Sequence, residues 1–243
     1  MRDWRGKRYW LVGASEGLGA KLADKVSRCG AEVILSARTE ARLQAVSDAL
    51  PGRSQVVPVD VADDASVAAA AEAVGPVDGV VYLAGLYWPM PSTEWNRDQA
   101  VQMADVNFTG LMRVLGHVVP TMVERDAGHI VITGSLSGFR GLPGAVGYGA
   151  SKAATMSVAE TLYADLRKTG VQVQLANPGF IRTRLTDKNS FKMPFLMEPE
   201  EAAQAMFELM CTDRFKANFP GPFSLVFRGS QFLPDWLYYR IFS

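Results

Sequence analysis

The stretch Arg8–Lys21, "RYWLVGASEGLGAK", decides the fold. Its first half is a short β-rich run. Its second half spaces Gly13, Gly17 and Gly19 as G-x-x-x-G-x-G and leads into a helical pattern. Strand, glycine turn and helix N-terminus in that order let backbone N–H groups approach a pyrophosphate closely. A plain glycine-rich turn is the alternative. The turn is not a P-loop, because Lys21 does not directly follow Gly19 and no Ser or Thr comes next.

Working outward, β-rich runs alternate with helical patterns. Candidate strands are "RYWLVGA", "EVILSA", "QVVPVD", "GVVYLAG", "HIVITGS", "VQVQLANPG" and "FSLVF". Helices fit at about 17–29, 39–49, 63–74, 97–125, 146–169 and 199–211. Several strands are nearly continuous in apolar residues, as in a parallel sheet covered on both faces. The expectation is α/β: one domain over 1–243, a Rossmann-type doubly wound parallel sheet of about seven strands with helices on both faces. Ligands of such sheets bind beyond the carboxyl ends of the strands, so chemistry is sought just after each strand.

Composition excludes several classes. Lys+Arg and Asp+Glu each number 25, so there is no basic bias of the kind a nucleic-acid binder carries. Two cysteines, Cys29 and Cys211, offer no disulfide framework and suit a cytoplasmic protein. The apolar run near the N-terminus is too short for a signal-peptide core, and none reaches the ~18 residues of a membrane span. His117 and His129 have no ligand-spaced partner, and no HExxH or similar cluster predicts a metal.

After the second strand, where an acid would bond a ribose 2′-OH, stand Ala37 and Arg38. An arginine suits a 2′-phosphate and favours NADP over NAD; the alternative is a solvated residue at a helix start, where a cation is slightly disfavoured. Glu16 in the glycine turn cuts the other way. After the third strand, Asp60 could bond an adenine amino group and Val61 pack on the ring; a helix-capping aspartate explains Asp60 as well. After the fifth strand come Ser135 and then "VGYGASKAA", in which Tyr148 and Lys152 stand four apart among small residues. On a helix these two side chains share a face.

Tyr148-x-x-x-Lys152 with Ser135 upstream, the glycine turn, and "NPG" after the sixth strand together resemble the short-chain dehydrogenase/reductase family over roughly residues 7–228. The resemblance implies that Tyr148 is the general acid or base, that Lys152 bonds the nicotinamide ribose and lowers the tyrosine pKa, and that Ser135 holds the substrate oxygen. It implies that Asn107 completes a proton relay to Lys152. Cofactor contacts would come from Gly13, Ser15, Gly17, Leu18 and Gly19, from Arg38, Asp60 and Val61, from Ala84 and Gly85, and from Pro178, Gly179, Ile181 and Thr183, besides Tyr148 and Lys152. The chain departs from the family at Val12, where a threonine is usual, and at Tyr82-Leu83, where two asparagines are usual.

The expected activity is hydride transfer between NADP(H), with NAD(H) as the alternative, and a small-molecule carbonyl or alcohol. A non-catalytic NADP-binding redox sensor and a sugar-nucleotide epimerase or dehydratase are the competing readings. Loops after strands four, five and six supply Trp88, Met90, Phe139, Leu142, Phe191, Met193, Phe195 and Leu196, an apolar wall suited to a bulky substrate. The third of these loops spans about 180–198. Arg140 reads as a solvated arginine or a contact for an anionic group. The aromatic tail, about 229–243, could fold onto its own sheet edge, pack against a neighbouring subunit or lie on a membrane; aromatic enrichment and the resemblance to a family that commonly forms dimers and tetramers favour a homo-oligomer with the tail between subunits. Membrane association is not expected, because Arg240 is the tail's only basic residue and Asp235 offsets it.

Overall fold

A computed structural model describes residues 2–189 and 191–242. Seven strands form one wholly parallel sheet: β1 (Arg8–Val12), β2 (Glu32–Ser36), β3 (Ser54–Val56), β4 (Gly79–Tyr82), β5 (Gly128–Thr133), β6 (Val171–Pro178) and β7 (Lys216–Phe219). Their spatial order is β3-β2-β1-β4-β5-β6-β7. The helices are α1 (Gly17–Arg28), α2 (Glu40–Ala49), α3 (Asp64–Val74), α4 (Arg97–Ala104), α5 (Gly110–Glu124), α6 (Val146–Leu166), α7 (Pro199–Met210), α8 (Gly221–Ser230) and α9 (Asp235–Phe242).

The nearly continuous apolar strands have a simple origin. Successive side chains of a strand point to opposite faces. Trp10, Val12, Val80 and Ile130 therefore join a core with residues of α3, α5 and α6, while Tyr9, Leu11, Val81 and Val131 join a second core with residues of α1, α2 and α7. Each strand must be apolar on both sides, so period-2 alternation disappears from the sequence.

The seventh strand is not "FSLVF". That segment lies in α8, and "KANF" pairs with β6 instead, Ala217 opposite Ala176. Pro222 sits in the first turn of α8, where its missing N–H costs nothing. Phe223 and Phe227, four apart, share the buried face while Leu225 and Val226 face out. An edge strand is only half covered, so "KANF" lacks the apolar signature of the others. The long helix expected over 97–125 is interrupted by a π turn at Asp105–Thr109. Tyr82, one of the departures from the family pattern, donates its hydroxyl hydrogen to the Val106 carbonyl of that turn at 2.6 Å. The tyrosine thus serves the joint between sheet and helix.

His129 is structural. It is wholly buried, with Nδ1 2.9 Å from the Tyr9 hydroxyl and Nε2 2.8 Å from Gln174 Oε1. Burial, aided by the Arg2 charge, lowers its pKa to about 3. The unfolded chain takes up this proton below pH ~6.5 and the folded chain does not, so stability falls with acid. Urea unfolding should show a loss of about 3 kcal/mol from this group between pH 7 and pH 4. His129→Gln should be less stable at pH 7 yet lose less over that interval; parallel pH dependence in the two proteins would contradict the assignment.

Candidate functional site

β1 and β4 are neighbours from which the chain winds in opposite directions, so a crevice opens between them at the carboxyl ends of the strands. The cavity there is about 970 Å³. Every residue expected to touch a cofactor lines it: Gly13 through Gly19 at the named positions, Arg38, Asp60, Val61, Ala84, Gly85, Tyr148, Lys152, and Pro178, Gly179, Ile181 and Thr183.

The glycine turn is held by contact as well as by conformation. Gly13 has φ +99°, and a Cβ there would lie 2.4 Å from the Ala84 nitrogen. A Cβ on Gly19 would lie 2.2 Å from the Gly13 carbonyl oxygen. Backbone therefore packs on backbone, and α1 begins directly over the carboxyl end of β1. No side chain caps its N-terminus, so its first N–H groups remain available to an anion. Asp60 does not cap α3; Asp63 does, accepting from the Ala65 and Ser66 nitrogens. Asp60 accepts instead from the nitrogen of Ala62 and stays at the cavity wall.

Glu16, which argued against a phosphate, is neutralised. Arg184 pairs with it from the loop after β6, and Arg42 lies 3.5 Å away from α2. Arg42 and Arg184 both line the cavity. Arg42 had a local signal, standing four residues after Arg38 at a helix start. Arg184 had none, since its partner is 168 residues distant.

The catalytic candidates converge from three elements. Lys152, on α6, is buried, and its Nζ donates to the Thr133 carbonyl at 2.9 Å while lying 5.8 Å from the centre of the Tyr148 ring. Burial pulls its pKa down to about 8. The Tyr148 ring meets the cleft, but burial of its phenol dominates and pushes the pKa up to about 12; the neighbouring Ser135 hydroxyl opposes the rise. Ser135 itself accepts from the Ser137 nitrogen at 3.2 Å. Asn107 is fully buried in the π turn, where its Nδ2 donates to the Leu86 carbonyl and to Ser151 Oγ, both at 2.9 Å, and its Oδ1 accepts from the Leu86 nitrogen at 2.6 Å. It ties the loop after β4 to α6 behind Lys152. The structure therefore brings Ser135, Tyr148 and Lys152 together and sets Asn107 beneath them.

Tyr87 was missed as a site residue. Its ring meets that of Tyr148 edge-on at 5.0 Å, and its hydroxyl donates to Asn189 Oδ1 at 2.7 Å across the cleft. Of the eight residues expected to form an apolar wall, one lines the cavity; Phe191, Met193, Phe195 and Leu196 are not part of its lining. Trp88 lines the cavity, but Met90 is core, bridged to Ala145. Phe139 and Leu142 pack with Leu136, Phe223 and Phe227. Ser190 of the third loop lies outside the described residues. Arg140 is away from the cavity lining and bonds the carbonyls of Ser230 and Leu233 at 2.9 and 2.8 Å.

The strand order and the two-sided helical cover define a Rossmann-like α/β fold, and the glycine turn and Tyr–Lys pair sit at its ligand-binding edge. A family model described as short chain dehydrogenase matches residues 7–193. An uncharacterised oxidoreductase of Myxococcus xanthus is 36% identical over 246 residues, covering 98% of this chain and 97% of that one. A solved short chain dehydrogenase/reductase family protein superposes with a TM-score of 0.80 at 29% identity, over 86% of this chain and 91% of its own. A short-chain dehydrogenase from Sphingobium yanoikuyae, solved with NADPH, shares the fold with a TM-score of 0.83 at 24% identity, over 92% and 91% of the two chains. The chain belongs to the short-chain dehydrogenase/reductase family and is an oxidoreductase.

Proposed function

We propose that the protein interconverts a bulky apolar ketone or aldehyde and its alcohol, with NADP(H) favoured over NAD(H). The observation that carries this reading is that Tyr148 and Lys152 line a glycine-cradled cavity while the Ser135 hydroxyl bonds the Tyr148 phenol. The cavity fits the cofactor class: an uncapped helix N-terminus and bare backbone stand where a pyrophosphate would lie, and Arg38 and Arg42 stand beyond β2 where a 2′-phosphate would need cations. When bound, the nicotinamide supplies or accepts the hydride. The chain's own residues do the rest. Tyr148 gives a proton to the carbonyl oxygen in reduction and removes it in oxidation. Ser135 holds that oxygen. Lys152 holds positive charge near the phenol and bonds the ribose.

The pKa directions fit a reductase. A phenol pushed up to about 12 keeps its proton near neutrality and is ready to act as an acid. Working as a base requires cationic help, which Lys152 and an oxidised nicotinamide would provide.

NADPH oxidation against a carbonyl panel tests the reading. Aromatic or long-chain ketones are expected to exceed small sugars in kcat/KM, and a clear preference for the sugars would overturn the apolar assignment. Arg38→Ala should raise KM for NADPH by roughly tenfold or more, the worth of a charge-assisted hydrogen bond, and leave KM for NADH little changed. Equal effects on both cofactors would remove the 2′-phosphate role.

A further inference from the structure

The exposed face built by α8 and α9 matches no part of the redox site. Tyr238 anchors α9 to its own chain: it is buried, its hydroxyl donates to the Gly141 carbonyl at 2.7 Å, and the Arg140 guanidinium lies 4.0 Å from its ring centre. That anchoring turns other side chains outward. Phe232 is 88% exposed and Trp236 69%, and Leu225, Val226, Tyr239 and Ile241 are also exposed. On α9, Trp236, Tyr239 and Arg240 stand at i, i+3 and i+4 and share one outward face. Exposed apolar side chains gathered on two successive helices mark an interaction surface.

Charge selects the occupant. Asp235 is the only acid on α8 or α9, and Arg140 holds it in an ion pair. The sequence argument against a membrane, that Asp235 offsets Arg240, therefore loses its premise. Arg228 and Arg240 form no ion pair among the described residues, nor does Lys192, which stands in the chain between the exposed rings of Phe191 and Phe195. A second copy docking by the same patch would bring Arg228 and Arg240 to a face on which, among the described residues of α8 and α9, the one carboxylate, Asp235, is already paired. A bilayer with anionic headgroups answers both features. Aromatic rings settle at the headgroup level, aliphatic side chains enter below them, and arginines meet phosphates.

We propose that α8, α9 and the neighbouring loop that carries Phe191 and Phe195 form a docking surface for an anionic lipid bilayer. Packing links this loop to the cleft. Phe195 stacks on Phe223 at 5.5 Å, and Phe223 packs so closely on Gly179, a cavity residue, that a Cβ there would lie 3.1 Å from its ring.

The test uses the full chain and reads binding alone, so it stands or falls apart from the redox assignment. The protein is sedimented with vesicles of phosphatidylcholine and phosphatidylglycerol at 70:30, and with phosphatidylcholine alone. It is expected to pellet with the first, to do so less at high salt, and to pellet weakly with the second. Arg228→Gln/Arg240→Gln should cut the partition coefficient by roughly tenfold to thirtyfold. Phe232→Ser, at a fully outward position, should weaken binding on both vesicle types. Circular dichroism and Tm confirm that each variant is folded. No pelleting with anionic vesicles, or equal pelleting of the double variant, would overturn the proposal. So would a concentration-dependent dimer in light scattering that Trp236→Ser dissolves, because the patch would then belong to a second copy.

Discussion

Tyr148→Phe is expected to lose roughly a thousandfold in turnover while binding NADPH within about twofold of the unmodified chain. The substitution removes one oxygen. The ring stays, and with it the edge-on contact to Tyr87 at 5.0 Å and the packing of α6. What disappears is the phenol that the geometry sets beside both Ser135 and Lys152. A positioned acid contributes typically 10² to 10⁴ in rate, so the loss should sit in kcat and not in KM. Stopped-flow turnover with an aromatic ketone, together with NADPH fluorescence titration, separates the two. Turnover near that of the unmodified chain would end the assignment. Cofactor bound tightly by both proteins and turned over by neither would instead favour a sensor.

Lys152→Met is expected to abolish most turnover and at the same time stabilise the fold. Burial lowers the Lys152 pKa to about 8 from 10.5. At pH 7 the charged amine is therefore held in the fold at a cost of about 3 kcal/mol. The unfolded chain binds more protons than the folded chain between pH 8 and 10.5, so this cost fades as pH rises through that window. Methionine fills similar volume without charge. The lost hydrogen bond to the Thr133 carbonyl returns about 1 kcal/mol, leaving a net gain of about 2 kcal/mol and a Tm higher by roughly 4–8 °C at pH 7. At pH 10 the gap between the two proteins should narrow. An unchanged Tm difference at pH 7 and pH 10 would show that the buried charge is not what separates them. The pairing of lost activity with gained stability marks a residue kept for chemistry at the expense of the fold.

The parts of the site that were legible share one property: their signals are local. Tyr148 and Lys152 are a helical turn apart, and Gly13, Gly17 and Gly19 fall within one turn and one helix start. Strands β1, β2, β4, β5 and β6 announce themselves because two cores demand apolar residues on both faces. The seventh strand was misplaced because apolar content, read alone, cannot separate a buried helix face from a strand. Phe223 and Phe227 are apolar for the sake of a helix, and "KANF" at the sheet edge is not apolar enough to be noticed. Asn107 could be marked by family resemblance, but its partners Leu86 and Ser151 come from the loop after β4 and from α6.

The sequence by itself determined the parallel α/β class, the glycine turn, the Tyr148–Lys152 spacing and the family. These follow from periodicity and from steric rules that act within a few residues. Tertiary structure alone decided the rest. It neutralised Glu16 by bringing Arg184 across 168 positions. It placed Tyr87 against Tyr148 and moved Met90 into the core. It shifted the pKa of Tyr148 upward and that of Lys152 downward, because burial arises only when distant elements pack around a group. It also gave Asp235 to Arg140, which left the α8–α9 face cationic. Charge and desolvation depend on what lies within a few ångströms in space, and the order of residues along the chain records little of that.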